Sequence, residues 1–317
     1  SFTLRECTMW FKHLHLYRLH GAAAIPAADL EEALAGQAAR TPGSQEARRV
    51  GWCPPAGRAG TALLHELQGQ RLMTMLRHER LLPAGVVREE VEERSAEIEA
   101  REGRKLRRQE KQELKEQVYE ELLPRAFVRS QKVDLWWDTR RELIAVNTSS
   151  RKRAEEALDL LRETLGSLKV TPLTAQTLPM RAMTQWLADE KSRPAALQLG
   201  DQVELKAKGD DGVLRARQVD LDSDEIQQLL ATGKQASRLA IEVEGRLGYV
   251  LHDDLTLKSL RFSDALIDEA SETEDDGDAI VRLEADFMLM TQALAEEIER
   301  LIDWLGGEAN GAAQASA

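Results

Sequence analysis

The sequence predicts an α+β chain in which antiparallel sheets are flanked by helices and a charged helical arm projects from them. Three observations carry this reading. Short runs of alternating apolar and polar residues recur, each bounded by Gly, Pro or Asp. Amphipathic helical stripes lie between those runs; the strongest is Leu283, Phe287, Met290, Leu294, Ile298, Leu301 and Leu305. Gly85–Leu123 has helical character but too few apolar side chains to be buried along its length.

Taken in order, residues 1–8 carry no pattern, and Met9 is read as the natural start. From Met9, MWFKHLHLYRL alternates as a strand, with Leu14 and Leu16 on one side and His13, His15 and Tyr17 on the other. The two histidines share a face and would make half a metal site. No second pair of ligands sits at a recognisable spacing, so the face is read as strand surface. Ala27–Gln37 is a short helix. TPGSQEARRVGWCPPAG then reads as loop, punctuated by Pro-Gly and Pro-Pro. Gln70–Arg77 is a strand, and Pro83 closes this unit.

Gly85–Leu123 would span roughly 60 Å if unbroken, at about 1.5 Å per residue. Gly103 falls in the gap between Ile98 and Leu106, where no large apolar side chain occurs, so a projecting helical hairpin is expected. Its basic cluster is Arg101, Arg104, Lys105, Arg107, Arg108 and Lys111. Two readings compete here: a solvated helix laced with Glu/Lys pairs, and a surface that contacts phosphates. The clustering favours phosphate. The arm breaks at Pro124, just before Phe127.

Beyond the arm, Leu135–Trp137 and Leu143–Val146 form a hairpin around Asp138-Thr139-Arg140-Arg141. Ser149 or Ser150 caps a helix whose apolar face is Ala154, Ala157, Leu158, Leu161 and Leu165, and Gly166 stops it. Arg151 and Lys152 open that helix against its dipole, which favours an anion nearby. Leu168–Leu173 is the next strand. Met180–Ala188 is a helix, and Val203–Lys206 and Val213–Val219 are strands about the turn at 208–212. Ser223 caps Asp224–Leu230. Leu239–Val243 and Leu247–Leu251 pair across Gly245, and Leu255–Phe262 extends their sheet. Glu269–Asp278 is expected to be an acidic, mobile linker before the final helix. The Gly/Ala/Ser tail after Gly306-Gly307 is expected to be disordered.

These elements divide as 9–84 with 125–175, an arm at 85–124, and a second α+β unit at 176–307. An extension (1–8) and a tail (308–317) flank them.

Composition narrows the function. Apolar residues at 42% and charged residues at 31% describe a globular protein. No apolar run is long enough to span a membrane, and no secretion signal begins the chain. Only Cys7 and Cys53 are present, so no disulfide framework or four-cysteine zinc site is expected, and a cytoplasmic setting fits. The net charge is −12, yet residues 170–317 hold 14 Lys/Arg against 29 Asp/Glu, which leaves residues 1–169 at +3. With a screening length of about 10 Å at 0.1 M salt, a segregated basic surface still attracts a polyanion.

No reaction centre emerges. Ala231-Thr232-Gly233-Lys234 lacks the first glycine and the Ser/Thr of a P-loop. Asp253-Asp254 reads as a turn, since adjacent strand carboxylates point to opposite faces. No catalytic residue, cofactor or metal is expected. Arg215 and Arg217, two apart on a strand, share a face as phosphate contacts would, with Gln218 beside them; an exposed strand face is the plainer reading.

Several stretches together resemble the RdgC family of bacterial recombination-associated proteins. They are MWFKHLHLYRL from Met9, GSQEARRVGWCPP at 43–55, LLPRAF at 122–127, KRAEEALDLLRETLGSL at 152–168, LRARQVDLDSDEI at 214–226 and DFMLMTQALAEEIERLIDWLGG at 286–307. The matches run in order over nearly all of residues 9–307. The resemblance implies a ring-shaped homodimer with a positively lined hole. Such a ring would bind double- and single-stranded DNA without sequence preference, associate with the nucleoid and restrain RecA. It also implies that Phe127 inserts into the partner subunit. The competing expectation is a non-enzymatic protein–protein adaptor that docks through the charged arm, with the acidic half binding a basic partner.

Overall fold

The computed structural model describes residues 9–21, 25–207, 209, 212–243, 245–272 and 278–309. These form two antiparallel sheets with helices about them, and the α+β expectation holds. The first sheet is built from β1 (His15–Leu19), β2 (Arg48–Cys53), β3 (His65–Leu67), β4 (Gln70–Leu81), β5 (Phe127–Asp138), β6 (Leu143–Val146) and β7 (Val170–Pro172). Its order is β2-β4-β5-β6-β1-β7, with β3 paired to β4. Helices α1 (Ala27–Gly36) and α4 (Arg151–Leu165) belong to this half. Ser150 caps α4 by accepting from the Arg153 N–H, as the sequence suggested.

The second sheet is β8 (Leu197–Lys206), β9 (Val213–Arg217), β10 (Gln235–Val243), β11 (Leu247–His252) and β12 (Leu257–Phe262), in the order β12-β11-β10-β8-β9. With it go α5 (Pro179–Ala188), α6 (Asp224–Ala231), α7 (Asp264–Glu272) and α8 (Ala279–Trp304).

Strand periodicity sorts side chains into two cores. On β4 and β5, Met73, Met75, Leu135 and Trp137 join α1 and α4 in one cluster. Their neighbours Leu72 and Trp136 join a second cluster with Leu14 and Leu16, the core face of the second sheet, α5 and α8. This second cluster draws on residues either side of 175. Its α8 stripe, Phe287, Met290, Leu294, Ile298 and Leu301, is buried as the spacing predicted.

The two sheets are also stitched by backbone. The N-terminal strand pairs with β12 before entering the first sheet: Leu14 and Leu257 exchange hydrogen bonds of 2.7 and 3.1 Å, and the Leu260 N–H donates to the Lys12 carbonyl at 2.9 Å.

Several local expectations are corrected. The stretch read as loop contains β2, paired with β4 from Arg48↔Glu79 to Cys53↔Thr74. Burial of Trp52 and its indole bond to Thr164 (2.8 Å) hold it there, and flanking turn residues hid it from the sequence. Gly51 is needed in this strand because a Cβ would lie 2.6 Å from the Ala39 Cα. Strand β4 runs four residues past Arg77, and it is preceded by β3 across a two-residue turn with positive φ at Gln68 and Gly69. His15 and Tyr17 are not surface residues; both faces of this strand are covered.

The strand expected over Val213–Val219 ends at Arg217, since Gln218 takes a φ of +56°. Residues Glu269–Glu272, expected in a linker, continue α7, whereas 273–277 lie outside the described residues. Glu308, assigned to a free tail, is held by Arg18 at 2.6 Å and by a bridge to Ala175. Residues 310–317, the turn positions 208, 210 and 211, and Cys7 also lie outside the described residues.

Candidate nucleic-acid interface

The arm is an insertion between β4 and β5, which pair over twelve positions from Gln70↔Asp138 to Leu81↔Phe127. It consists of α2 (Ala84–Glu102), a turn at left-handed Gly103, and α3 (Arg108–Leu122). Glu110 accepts from the Arg107 N–H at 2.7 Å and so closes the start of α3. The two helices are tied by Arg94, which bonds Glu90 and Glu121 at 2.7 Å each.

Charge along the arm is uneven. Residues 85–124 hold nine Lys/Arg and twelve Glu, whereas the tip at 101–111 holds six Lys/Arg and two Glu. The stem is therefore acidic and the tip basic. At the tip Arg104 is occupied by Glu102 (2.8 Å) and Glu110 (2.7 Å), and Lys111 lies 3.7 Å from Glu99. Arg101, Lys105, Arg107 and Arg108 are exposed, with no carboxylate ion pair among the described residues.

Phe127 opens β5 and is 85% exposed, with Leu81 opposite it and the exposed Val128 next to it. Arg151 and Lys152 sit in acidic company. Arg151 pairs with Glu155 at 3.0 Å, and Lys152 shares a shallow cleft with Glu155, Glu156, Asp159 and Glu163.

Arg215 and Arg217 belong to a larger constellation. On the face of the second sheet away from the core, strand register places His252, Arg238, Glu204 and Arg215 in one row across β11, β10, β8 and β9. Arg217 pairs with Gln202, and Lys258 with Val250, on the same face. Glu204, only 3% exposed, anchors the row: it accepts from Arg215 Nε at 2.6 Å and Ser237 Oγ at 2.7 Å, and lies 3.4 Å from Arg238. Burial opposes its ionisation, but these partners outweigh burial and hold its carboxyl below the ordinary value.

The N-terminal strand closes the constellation. His13 Nδ1 accepts from the Ser259 N–H at 3.2 Å, and the Lys12 and His13 N–H groups donate to Asn147 Oδ1 at 3.0 and 3.1 Å. Asn147 in turn lines a cleft with Lys132 and Arg153. Asn147 is thus shared by the seam and by the Lys132–Arg153 cleft.

The sequence reading singled out Arg215 and Arg217 and took His13 for strand surface, but did not single out Arg238, Lys258 or His252, which come from separate strands. The alternation Arg238, Ala240, Glu242 was the available signal for a polar face on β10. Among the described residues no group of three or more His, Cys, Asp or Glu is arranged to hold a metal ion, and no helix is long and apolar enough to cross a membrane.

Comparison with known proteins gives matches along almost the whole chain. The family model described as "Putative exonuclease, RdgC" matches residues 9–308. The recombination-associated proteins RdgC of Yersinia pestis (strain Pestoides F), Yersinia pseudotuberculosis (strain IP 31758) and Yersinia enterocolitica (serotype O:8) are each 41% identical over 302 residues. Each alignment covers 95% of this chain and 99% of the relative.

Proposed function

Since the chain belongs to the RdgC family, we propose that it is a non-enzymatic protein of recombination that binds double- and single-stranded DNA without sequence preference. In this reading it acts as a homodimer that encircles DNA and restrains RecA. The carrying observation is the clustering of cations. Arg101, Lys105, Arg107 and Arg108 gather at the arm tip, and Arg215, Arg217, Arg238 and Lys258 gather on one face of the second sheet, in a chain that is acidic overall. Arginine and lysine side chains of this kind suit contacts to backbone phosphate, which carry no sequence information. Phe127, large, apolar and exposed, supports a subunit contact at the strand end.

Fluorescence anisotropy with duplexes and single strands of unrelated sequence tests this reading. Affinity is expected to depend weakly on sequence and to fall about 10³–10⁵-fold between 50 and 200 mM salt, if roughly 6–10 phosphates are contacted. No binding at low salt would overturn it. Product from end-labelled DNA in magnesium would instead favour the exonuclease named in the family description. The acidic stem of the arm favours one second reading, an adaptor that docks on a protein through the arm and needs no DNA affinity; absence of a gel shift at low salt favours it.

A further inference from the structure

Between the seam and the open face of the second sheet lies a cavity of about 210 Å³ lined by His13, Arg215, Arg217, Arg238, His252 and Lys258, with Glu204 at its base. It is smaller than the roughly 300–1,000 Å³ that encloses a whole drug-sized ligand, so it suits one chemical group of a larger molecule. Every charged side chain lining it except Glu204 is cationic. The buried Glu204 carboxylate is already committed to Arg215, Arg238 and Ser237, which fixes two guanidinium groups at the rim.

Arg217 and Lys258 have no carboxylate ion pair among the described residues. Because His13 Nδ1 accepts from Ser259, its neutral ring carries the proton on Nε2 and has that donor available. The wall is therefore made of donors and positive charge around a small void.

We propose that this cavity is a seat for a single phosphate group, held by Arg217, Arg238, Lys258 and the His13 ring, and that on DNA it grips one backbone phosphate. The second half of the proposal rests on the DNA-binding reading; the first does not. The site differs from a diffuse basic surface in being partly prearranged, since Glu204 positions Arg238, and His13 is held by the Ser259 N–H, before any ligand arrives. Burial and then Lys258 disfavour protonation of both the His13 and His252 rings, with Lys12 adding at His13 and Arg238 at His252, where Asp254 and Asp253 partly oppose them; an anion in the cavity acts against this balance.

NMR of the six histidine rings in the full chain, at constant ionic strength with chloride as the balancing ion, tests the seat. Inorganic phosphate is expected to move the His13 and His252 signals and raise the pH at which both titrate, while His78, far along β4, stays in place. The Arg217→Gln/Lys258→Gln double variant is expected to lose this response, with apparent phosphate affinity down on the order of tenfold or more per charge-assisted bond removed. An unchanged melting temperature confirms that this variant is folded.

A short unphosphorylated single strand should move the same two rings, which assigns the seat to an internal phosphodiester. A response only to its 5′-phosphorylated form assigns it to a strand end instead and overturns the backbone assignment. A response to inorganic phosphate with no DNA binding keeps the seat and rejects the DNA reading. DNA binding by anisotropy with both rings unmoved by every probe rejects the seat and keeps the DNA reading.

Discussion

Leu14 and Leu257 exchange backbone hydrogen bonds of 2.7 and 3.1 Å, so a residue from the first strand of the chain closes the edge of a sheet built almost entirely from residues beyond 195. Both side chains are inaccessible and belong to the core cluster that draws on the two sheets. The seam is both a backbone ladder and a packed interface. Leu257→Ala is expected to cost about 2–5 kcal/mol, and near-ultraviolet circular dichroism and tryptophan fluorescence should report one coincident unfolding transition. Two separated transitions would show that the sheets unfold independently.

Replacing Arg101, Lys105, Arg107 and Arg108 together by Ala is expected to weaken DNA binding at every sequence alike. The slope of log affinity against log salt should become shallower by about 0.9 for each duplex phosphate that the variant no longer neutralises. Their exposure predicts a melting temperature close to that of the unaltered chain. Unaltered affinity and slope would remove the arm tip from the interface.

Phe127→Ala tests the strand-end contact. With 85% of its surface exposed, its removal is expected to leave subunit stability within about 0.5 kcal/mol. Sedimentation velocity should show a shift from dimer towards monomer. A dimer of undiminished affinity would place the contact elsewhere.

His252 makes stability depend on pH. Burial, then Lys258 and Arg238, push its pKa down from 6.5 to about 4, and the nearby Asp253 and Asp254 only partly oppose this. The unfolded chain therefore takes up a proton near pH 6.5 that the folded chain refuses until about pH 4. The stabilisation is complete above pH 6.5 and is lost progressively as pH falls between these values. Its full size is up to about 3 kcal/mol, from 1.36 kcal/mol per pKa unit. Urea denaturation of His252→Asn should show a flatter profile in this window; an identical slope would contradict the assignment.

Gly51→Ala is expected to destabilise the β2 edge, because its Cβ would meet the Ala39 backbone at 2.6–2.7 Å. Hydrogen exchange should quicken at Trp52 and Ala39, whose amides bond across this junction, and stay unchanged in the second sheet.

Much of this architecture was legible because local patterns dominate it. The α8 stripe, the Gly245 hairpin and the Gly103 interruption of the arm each specify structure within a few residues. Strand β2 was obscured because turn-forming prolines and glycines crowd both its ends, while the burial of Trp52 that stabilises it comes from α4, more than a hundred residues away. For His13, His15 and Tyr17, alternation separated two faces but carried no information that both would be covered. The cavity at Glu204 was illegible for a related reason: its side chains meet only through the register of β8 to β12 and the seam. The basic cluster of the arm was visible, but the carboxylates that occupy Arg104 act across the turn, where spacing along the chain does not say which side chains meet.

The placement of α2 and α3 between the far ends of two strands already locked together over twelve pairs has an evolutionary corollary. Arg94 ties the two helices to each other, and the Gln45 side chain meets α3 only near its last turn, at the Glu120 carbonyl, so a change in the length or charge of the tip would leave the strand register beneath it intact. Variation in the reach of this family should accumulate at that junction first.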